Sequence, residues 1–120
     1  MEKRTLVIGA SENTSRYSNR ALLNLRRSNI ETFAIGVKKG KVLDVSIETE
    51  KKYLENVDTV TLYLNPTRQK EYHEYILSLH PKRVIFNPGT ENVEFEKILQ
   101  ENSIAVERAC TLVLLATNQF

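Results

Sequence analysis

Three apolar runs in this chain end in the same way. Thr5-Leu6-Val7-Ile8 breaks into Gly9-Ala10-Ser11, Val57 to Leu64 breaks into Asn65-Pro66, and Arg83 to Phe86 breaks into Asn87-Pro88-Gly89-Thr90-Glu91-Asn92. Each run reads as a strand, each break as a turn, and a helical pattern follows each. Consecutive rather than alternating apolar residues suit strands buried on both faces, as in a parallel sheet. In an open α/β sheet, ligands bind just outside the carboxyl ends of the strands. Three such ends carrying Gly, Ser, Asn and Pro predict one shared crevice and a nucleotide-like ligand.

The intervening segments complete the alternation. Tyr17, Ala21, Leu22 and Leu25 recur at helical spacing, with Ser15 or Ser18 as the expected cap. Thr32 to Ile35 reads as a second strand that stops at Gly36. Gly40 to Asp44 suggests a short edge strand beside the second, and Ile47 to Asn56 a short helix with Tyr53 and Leu54 turned inward. Asn65 suits an N-cap and Pro66 the first helical position, whose amide needs no intrahelical partner. Tyr72, Tyr75, Ile76 and Leu79 then form one apolar stripe, and His80-Pro81 ends that helix. Phe95, Ile98 and Leu99 mark another helix, Ile104 to Glu107 a last strand, and Cys110 to Thr117 a short covering helix. The expected fold is a doubly wound α/β domain over residues 1–120. It has a parallel, Rossmann-like sheet of about five main strands in the order 2-1-3-4-5, with helices on both faces.

The chain has 120 residues, enough for one core. A net charge of +2 with short clusters at Arg26-Arg27 and Lys38-Lys39 does not suggest a nucleic-acid binder. The only cysteine, Cys110, excludes an intrachain disulfide framework and a cysteine-built metal site, and it fits a reducing cytoplasm. Met1 to Arg4 leads straight into a strand without an apolar signal region. The longest apolar stretch, Leu112 to Ala116, is too short to span a bilayer. The expected partner is a small nucleotide ligand, with a protein partner or a homo-oligomer left open.

At the crevice, Gly9-Ala10-Ser11 lets backbone approach a phosphate, and the following helix offers open amides and partial positive charge. Ser11, Ser15 and Ser18 add hydroxyls, and Arg16 adds a cation suited to phosphate. The other glycines of G-x-G-x-x-G are missing, so Gly9 equally fits a plain tight turn. After the second strand, Gly36-Val37-Lys38-Lys39 carries no acidic residue of the kind that holds the ribose of NAD. Lysines there suit a ligand with an additional phosphate near its ribose, or a solvated loop.

These residues resemble a family. Leu6 to Ser11, Arg16-Tyr17-Ser18-Asn19, Val57-Asp58-Thr59-Val60, Tyr63 to Pro66, Arg83 to Asn92 and Cys110-Thr111-Leu112-Val113 resemble, in order and spacing, the stand-alone CoA-binding proteins. Those proteins have a Rossmann-like fold and are related to the nucleotide-binding domain of the succinyl-CoA synthetase α subunit. The resemblance implies CoA or acyl-CoA as ligand. It implies phosphate held by Gly9, Ala10, Ser11, Arg16, Tyr17 and Ser18. It further implies adenosine flanked by Gly36, Val37, Lys38, Asn65 and Pro66, and the rest of the cleft lined by Asn87, Pro88 and Gly89. The family pattern Val-Asn-Pro-Lys reads here Ile35-Gly36-Val37-Lys38. The lysine is kept, whereas glycine in place of the stiffening Asn-Pro pair predicts a looser loop.

Candidates for catalysis are few. His73 lies within a helix and His80 at its end, neither close in sequence to a strand end. Glu91 fits a base or an acidic residue in a first helical turn. Cys110 fits a thiol that meets the thiol of the ligand, or a small apolar core residue. No catalytic constellation and no metal site results. The expected function is CoA or acyl-CoA binding. Alternatives are an NADP-binding or redox-sensing Rossmann domain, or a nucleotide-binding subunit of a larger enzyme.

Overall fold

A computed structural model describes residues 3–120; Met1 and Glu2, where the expected absence of a signal region begins, lie outside them. The strands are β1 (Thr5–Ile8), β2 (Thr32–Ile35), β3 (Gly40–Val42), β4 (Val45–Glu48), β5 (Thr59–Leu62), β6 (Arg83–Phe86) and β7 (Ala105–Arg108). The helices are α1 (Tyr17–Arg27), α2 (Pro66–Gln69), α3 (His73–Leu79), α4 (Val93–Glu101) and α5 (Thr111–Ala116), with a 3-10 turn at Lys70–Tyr72. They form an α/β, Rossmann-like fold around one seven-stranded sheet in the order β3-β4-β2-β1-β5-β6-β7. All neighbours are parallel except β3, which runs antiparallel to β4. Of the five strands expected, all are present, and their order is the one expected.

The continuous apolar runs follow from the two-faced core. Leu6 and Ile8 of β1 point into one layer, with Val60, Leu62, Ile76, Phe86, Phe95 and Leu99. Val7 between them points into the other, with Leu22, Leu25, Ala34 and Ile47. Alternate residues of a strand face opposite sides, so a strand covered on both sides carries no exposed face and is apolar save for buried threonines such as Thr5, Thr59 and Thr61. All four residues of β1 and of β5 are buried.

The region after β2 corrects the sequence reading twice. The strand at Val42 is not beside β2; β4 lies between them, pairing Ala34 with Ile47. Arg26 of α1 secures this hairpin by gripping Asp44 in its turn at 2.8 and 2.7 Å, which holds the Asp44 carboxyl below its ordinary range. The expected helix after Ile47 is absent, and Tyr53 is 70% exposed, while Leu54 packs partly buried against the core. Residues 49–58 must return along the sheet and move sideways by three strand spacings, about 14 Å. Ten helical residues would cover only about 15 Å in all, so the connection stays extended.

Smaller differences concern the helices. Arg16, not a serine, is the N-cap of α1, and its side chain makes no capping bond. Tyr17 is 66% exposed rather than part of the inward stripe. The helix after Pro66 is interrupted by the 3-10 turn, and the side chains of Gln69, just before it, and Tyr72, its last residue, are buried. Among the described residues, no helix is long and apolar enough to cross a membrane.

Candidate functional site

The loop after β1 is stitched to both neighbouring strands. The amides of Gly9 and Ala10 both donate to Ile35 O at 2.9 Å, and Tyr63 N donates to Ile8 O at 2.9 Å. Gly9 sits at φ +94°, where a Cβ would lie 3.1 Å from Leu64 Cδ2 and from the Tyr63 carbonyl. Glycine is therefore required there by conformation and by space.

Gly36 does not loosen its loop. Its amide donates to Glu48 O at 2.9 Å, and a Cβ on it would overlap the Ala10 carbonyl oxygen. The glycine lets the ends of β1 and β2 close together, so the replacement of the stiffening pair trades one restraint for another.

The loop from Ser11 to Arg16 folds on itself. Ser11 Oγ accepts Asn13 N at 3.0 Å, Asn13 Oδ1 accepts Ser15 N at 3.0 Å, and Asn19 Nδ2 donates to Ser11 O at 3.0 Å. With these side chains engaged, the start of α1 has no side-chain cap and no acidic residue in its first turn. Asn19 N turns back to Arg16 O at 3.1 Å, so the Tyr17 and Ser18 amides and the partial positive charge of the helix start are left for something else.

On the other side, Asn65 Oδ1 accepts Arg68 N at 2.9 Å, the cap expected from Asn-Pro. Buried Gln69 donates to Leu64 O at 2.8 Å and to Thr90 O at 2.6 Å, tying the turn after β5 to the turn after β6. Gly89 stands at φ +91°, and its amide donates to Glu91 Oε1 at 3.0 Å. Glu91 therefore braces a turn and lies ahead of α4. Asn92 caps α4, accepting Phe95 N at 3.2 Å, while Glu96 returns to Asn92 N at 2.8 Å.

These turns enclose a cleft of about 480 Å³ at the strand carboxyl ends. It brings together Gly9, Ala10, Ser11, Arg16, Tyr17, Ser18, Val37, Lys38, Asn65, Pro88 and Gly89. Four of the predicted residues do not line it. Gly36 lies behind the wall against Ala10, and Pro66 opens α2. Asn87 is buried and bonded throughout, and Cys110 is half-buried at the N-cap of α5. Glu12, Asn13, Lys39, Tyr63, Leu64, Arg68 and Thr90 also line the cleft. Arg68 was readable as a first-turn cation after the Asn65-Pro66 cap; Glu12 had no local signal. The lining holds four cations, Arg16, Lys38, Lys39 and Arg68, against one carboxylate, Glu12. Such a wall suits an anion, above all a phosphate.

Tyr63 lines the cleft with part of its side chain, while its hydroxyl is buried in the core behind. Burial pushes its pKa up to about 12, opposed by the nearby Thr111 and Thr61 hydroxyls. Those hydroxyls bond each other at 2.8 Å, and the Tyr63 hydroxyl makes no bond of good geometry. The histidines lie elsewhere. His73 stacks on Phe95 at 3.8 Å, and His80 is the exposed left-handed cap of α3. A smaller, mostly apolar groove of about 260 Å³ runs along β2 and β4 beneath Leu54 and Tyr75, and no glycine turn lines it. Among the described residues, no group of three or more His, Cys, Asp or Glu side chains could hold a metal.

Comparison with solved structures gives the same architecture. A crystal structure of an uncharacterized protein superposes with a TM-score of 0.97 at 50% identity, covering 100% of this chain and 99% of the other. A Thermus thermophilus protein superposes with a TM-score of 0.86 at 23% identity, covering 99% and 91%. A hypothetical protein from Pyrococcus horikoshii OT3 does so with a TM-score of 0.84 at 22% identity, covering 93% and 80%. In these last two the likeness is one of fold. A search of curated proteins finds no match. The model of the CoA binding domain family matches residues 3–116. Nearly the whole chain, including every turn that builds the cleft, falls within that match: the chain belongs to the CoA binding domain family.

Proposed function

We propose that the strand-end cleft binds CoA or an acyl-CoA and that the protein works by holding this ligand. The observation that carries the reading is the uncapped start of α1 beside a glycine turn, in a cleft with four cations and one carboxylate. A diphosphate satisfies leading helix amides and benefits from the helix dipole. In this reading Gly9, Ala10, Ser11, Arg16, Tyr17 and Ser18 hold the diphosphate. Lys38 meets the phosphate on the adenosine ribose, with Gly36 and Val37 shaping that loop. Asn65 and Pro66 flank the adenosine, and Arg68 adds charge beside them. Pro88 and Gly89 line the remaining length, with Asn87 and Cys110 behind them. Family membership supports the choice of CoA among phosphate-bearing ligands.

A thermal-shift series with CoA, acetyl-CoA, NAD, NADP and ATP tests this directly. A ligand at 100 times its dissociation constant adds about 2.7 kcal/mol of stability. Stabilisation by CoA or acetyl-CoA above all others is expected. The Lys38-Lys39 pair also fits a 2′-phosphate, so preference for NADP would replace the CoA reading with the dinucleotide one.

A further inference from the structure

Glu12 is the one carboxylate in the cleft lining. Near an anionic ligand it opposes binding by charge alone, so its place there needs another reason. Its Oε2 accepts the Lys41 backbone amide at 2.9 Å, across 29 residues of sequence. Lys41 lies in β3, the outer strand of the sheet, where amides lack a further strand to pair with. Between β2 and β3 run Val37, Lys38 and Lys39, all exposed and all in the cleft wall. One end of that loop is fixed by the Gly36 amide bonded to Glu48. Glu12 ties the other end to the loop after β1.

Gly40 makes room for this bond. A Cβ there would overlap the Glu12 carboxyl group, and the backbone of Gly40 is not left-handed. The fold itself can accept a side chain here, because the Glu12 side chain can swing aside; what a Cβ would remove is this placement of the carboxylate.

We infer that Glu12 is a positioning residue, whose bond to Lys41, made possible by Gly40, holds the Val37–Lys39 loop in the wall of the ligand cleft. The inference rests on the cleft being the CoA site. It separates into a latch, which exists or not without ligand, and an effect of that latch on binding.

Three variants separate bond from charge. Glu12→Ala removes both. Glu12→Gln keeps an acceptor oxygen and removes the charge. Gly40→Ala displaces the carboxylate and keeps its charge. Hydrogen exchange at the Lys41 amide reads the latch without any ligand. Exchange is expected to quicken about three- to tenfold in Glu12→Ala and Gly40→Ala and to stay near wild type in Glu12→Gln. CoA titration is expected to give about three- to tenfold weaker binding for the first two, and equal or tighter binding for Glu12→Gln. Lys38→Ala should also cost less affinity in the Glu12→Ala background than alone, because the loop is already released.

Unchanged Lys41 exchange in Glu12→Ala overturns the latch. Faster exchange with wild-type CoA affinity overturns the positioning role. Tighter binding in both Glu12 variants means that the residue acts by charge only. A wild-type protein that binds no CoA removes the ligand reading and the role built on it, and the exchange result still decides whether the latch exists.

Discussion

The Asn87 side-chain oxygen accepts the Thr111 backbone amide at 2.9 Å. The same side chain donates to Thr61 Oγ1 at 2.7 Å and to Leu62 O at 2.9 Å. One buried amide thus joins β5, the end of β6 and the start of α5. An asparagine that looks like a ligand contact in a strand-end turn is here fully engaged in holding that turn. Asn87→Ala strands a buried amide and a buried carbonyl, and is expected to cost about 2–4 kcal/mol. Urea unfolding measures this. Wild-type stability with lost CoA affinity would return Asn87 to the ligand.

The two left-handed glycines should differ. Both Gly9 (φ +94°) and Gly89 (φ +91°) hold conformations that cost an L-residue about 1–2 kcal/mol. Only Gly9 is also crowded, by Tyr63 and Leu64, whereas nothing lies within 4 Å of a Cβ at Gly89. Gly9→Ala is therefore expected to destabilise by about 1–3 kcal/mol more than Gly89→Ala. Equal shifts in paired urea melts would contradict the close packing at Gly9.

Lys38 is exposed in the cleft wall, so in the CoA reading it is expected to act by charge. Lys38→Ala should weaken CoA more than dephospho-CoA, and the difference should shrink as salt rises. Titrations with both ligands at low and high ionic strength read this out. The same loss for both ligands refutes the assignment to the ribose phosphate.

His73 should make stability depend on pH. Burial, and then nearby Lys70, hold its pKa below the ordinary value, and its Nε2 is buried without a partner. The folded state thus favours the neutral ring, and the unfolded chain takes up a proton first. This stability is present above the unfolded value of about 6.5 and is lost as pH falls through the lower folded one. His73→Phe keeps an aromatic ring against Phe95 and should lose less stability than wild type between pH 7 and pH 5. Parallel pH profiles from urea melts would remove His73 from the acid response.

Cys110 lies outside the cleft lining, half-buried at the start of α5. Incubation with CoA disulfide is expected to leave the native protein unmodified, with ready thiol labelling after unfolding. Intact mass distinguishes the cases. A reductant-reversible adduct on the native protein would put the thiol within reach of the ligand.

Much of the fold and part of the site could be read locally. Leu6-Val7-Ile8 and Val84-Ile85-Phe86 announce strands covered on both faces because each residue alone reports the burial of its side. Asn65-Pro66 announces a helix start because a cap is made within three residues, Asn65 to Arg68. The strand-end turns at Gly9, Asn65 and Gly89 were visible for the same reason, and the sheet order brought them to one cleft. Tyr17 departs from the expected stripe because helical spacing does not say where a core-facing stripe begins, and this first residue of α1 lies exposed in the cleft lining.

Short-range residue patterns are thus enough to fix buried strands, caps, turns and the alternation that leads to a parallel sheet. The tertiary structure alone decided which distant backbones meet. Gly36 is a glycine because β1 and β2 bring Ala10 against it. The β3–β4 hairpin displaces the expected edge strand because β4 pairs with β2. Glu12 reaches Lys41 across 29 residues because the sheet places β3 near the loop after β1. Contacts of this kind depend on strand order and close approach, and a local pattern of polarity carries no record of either.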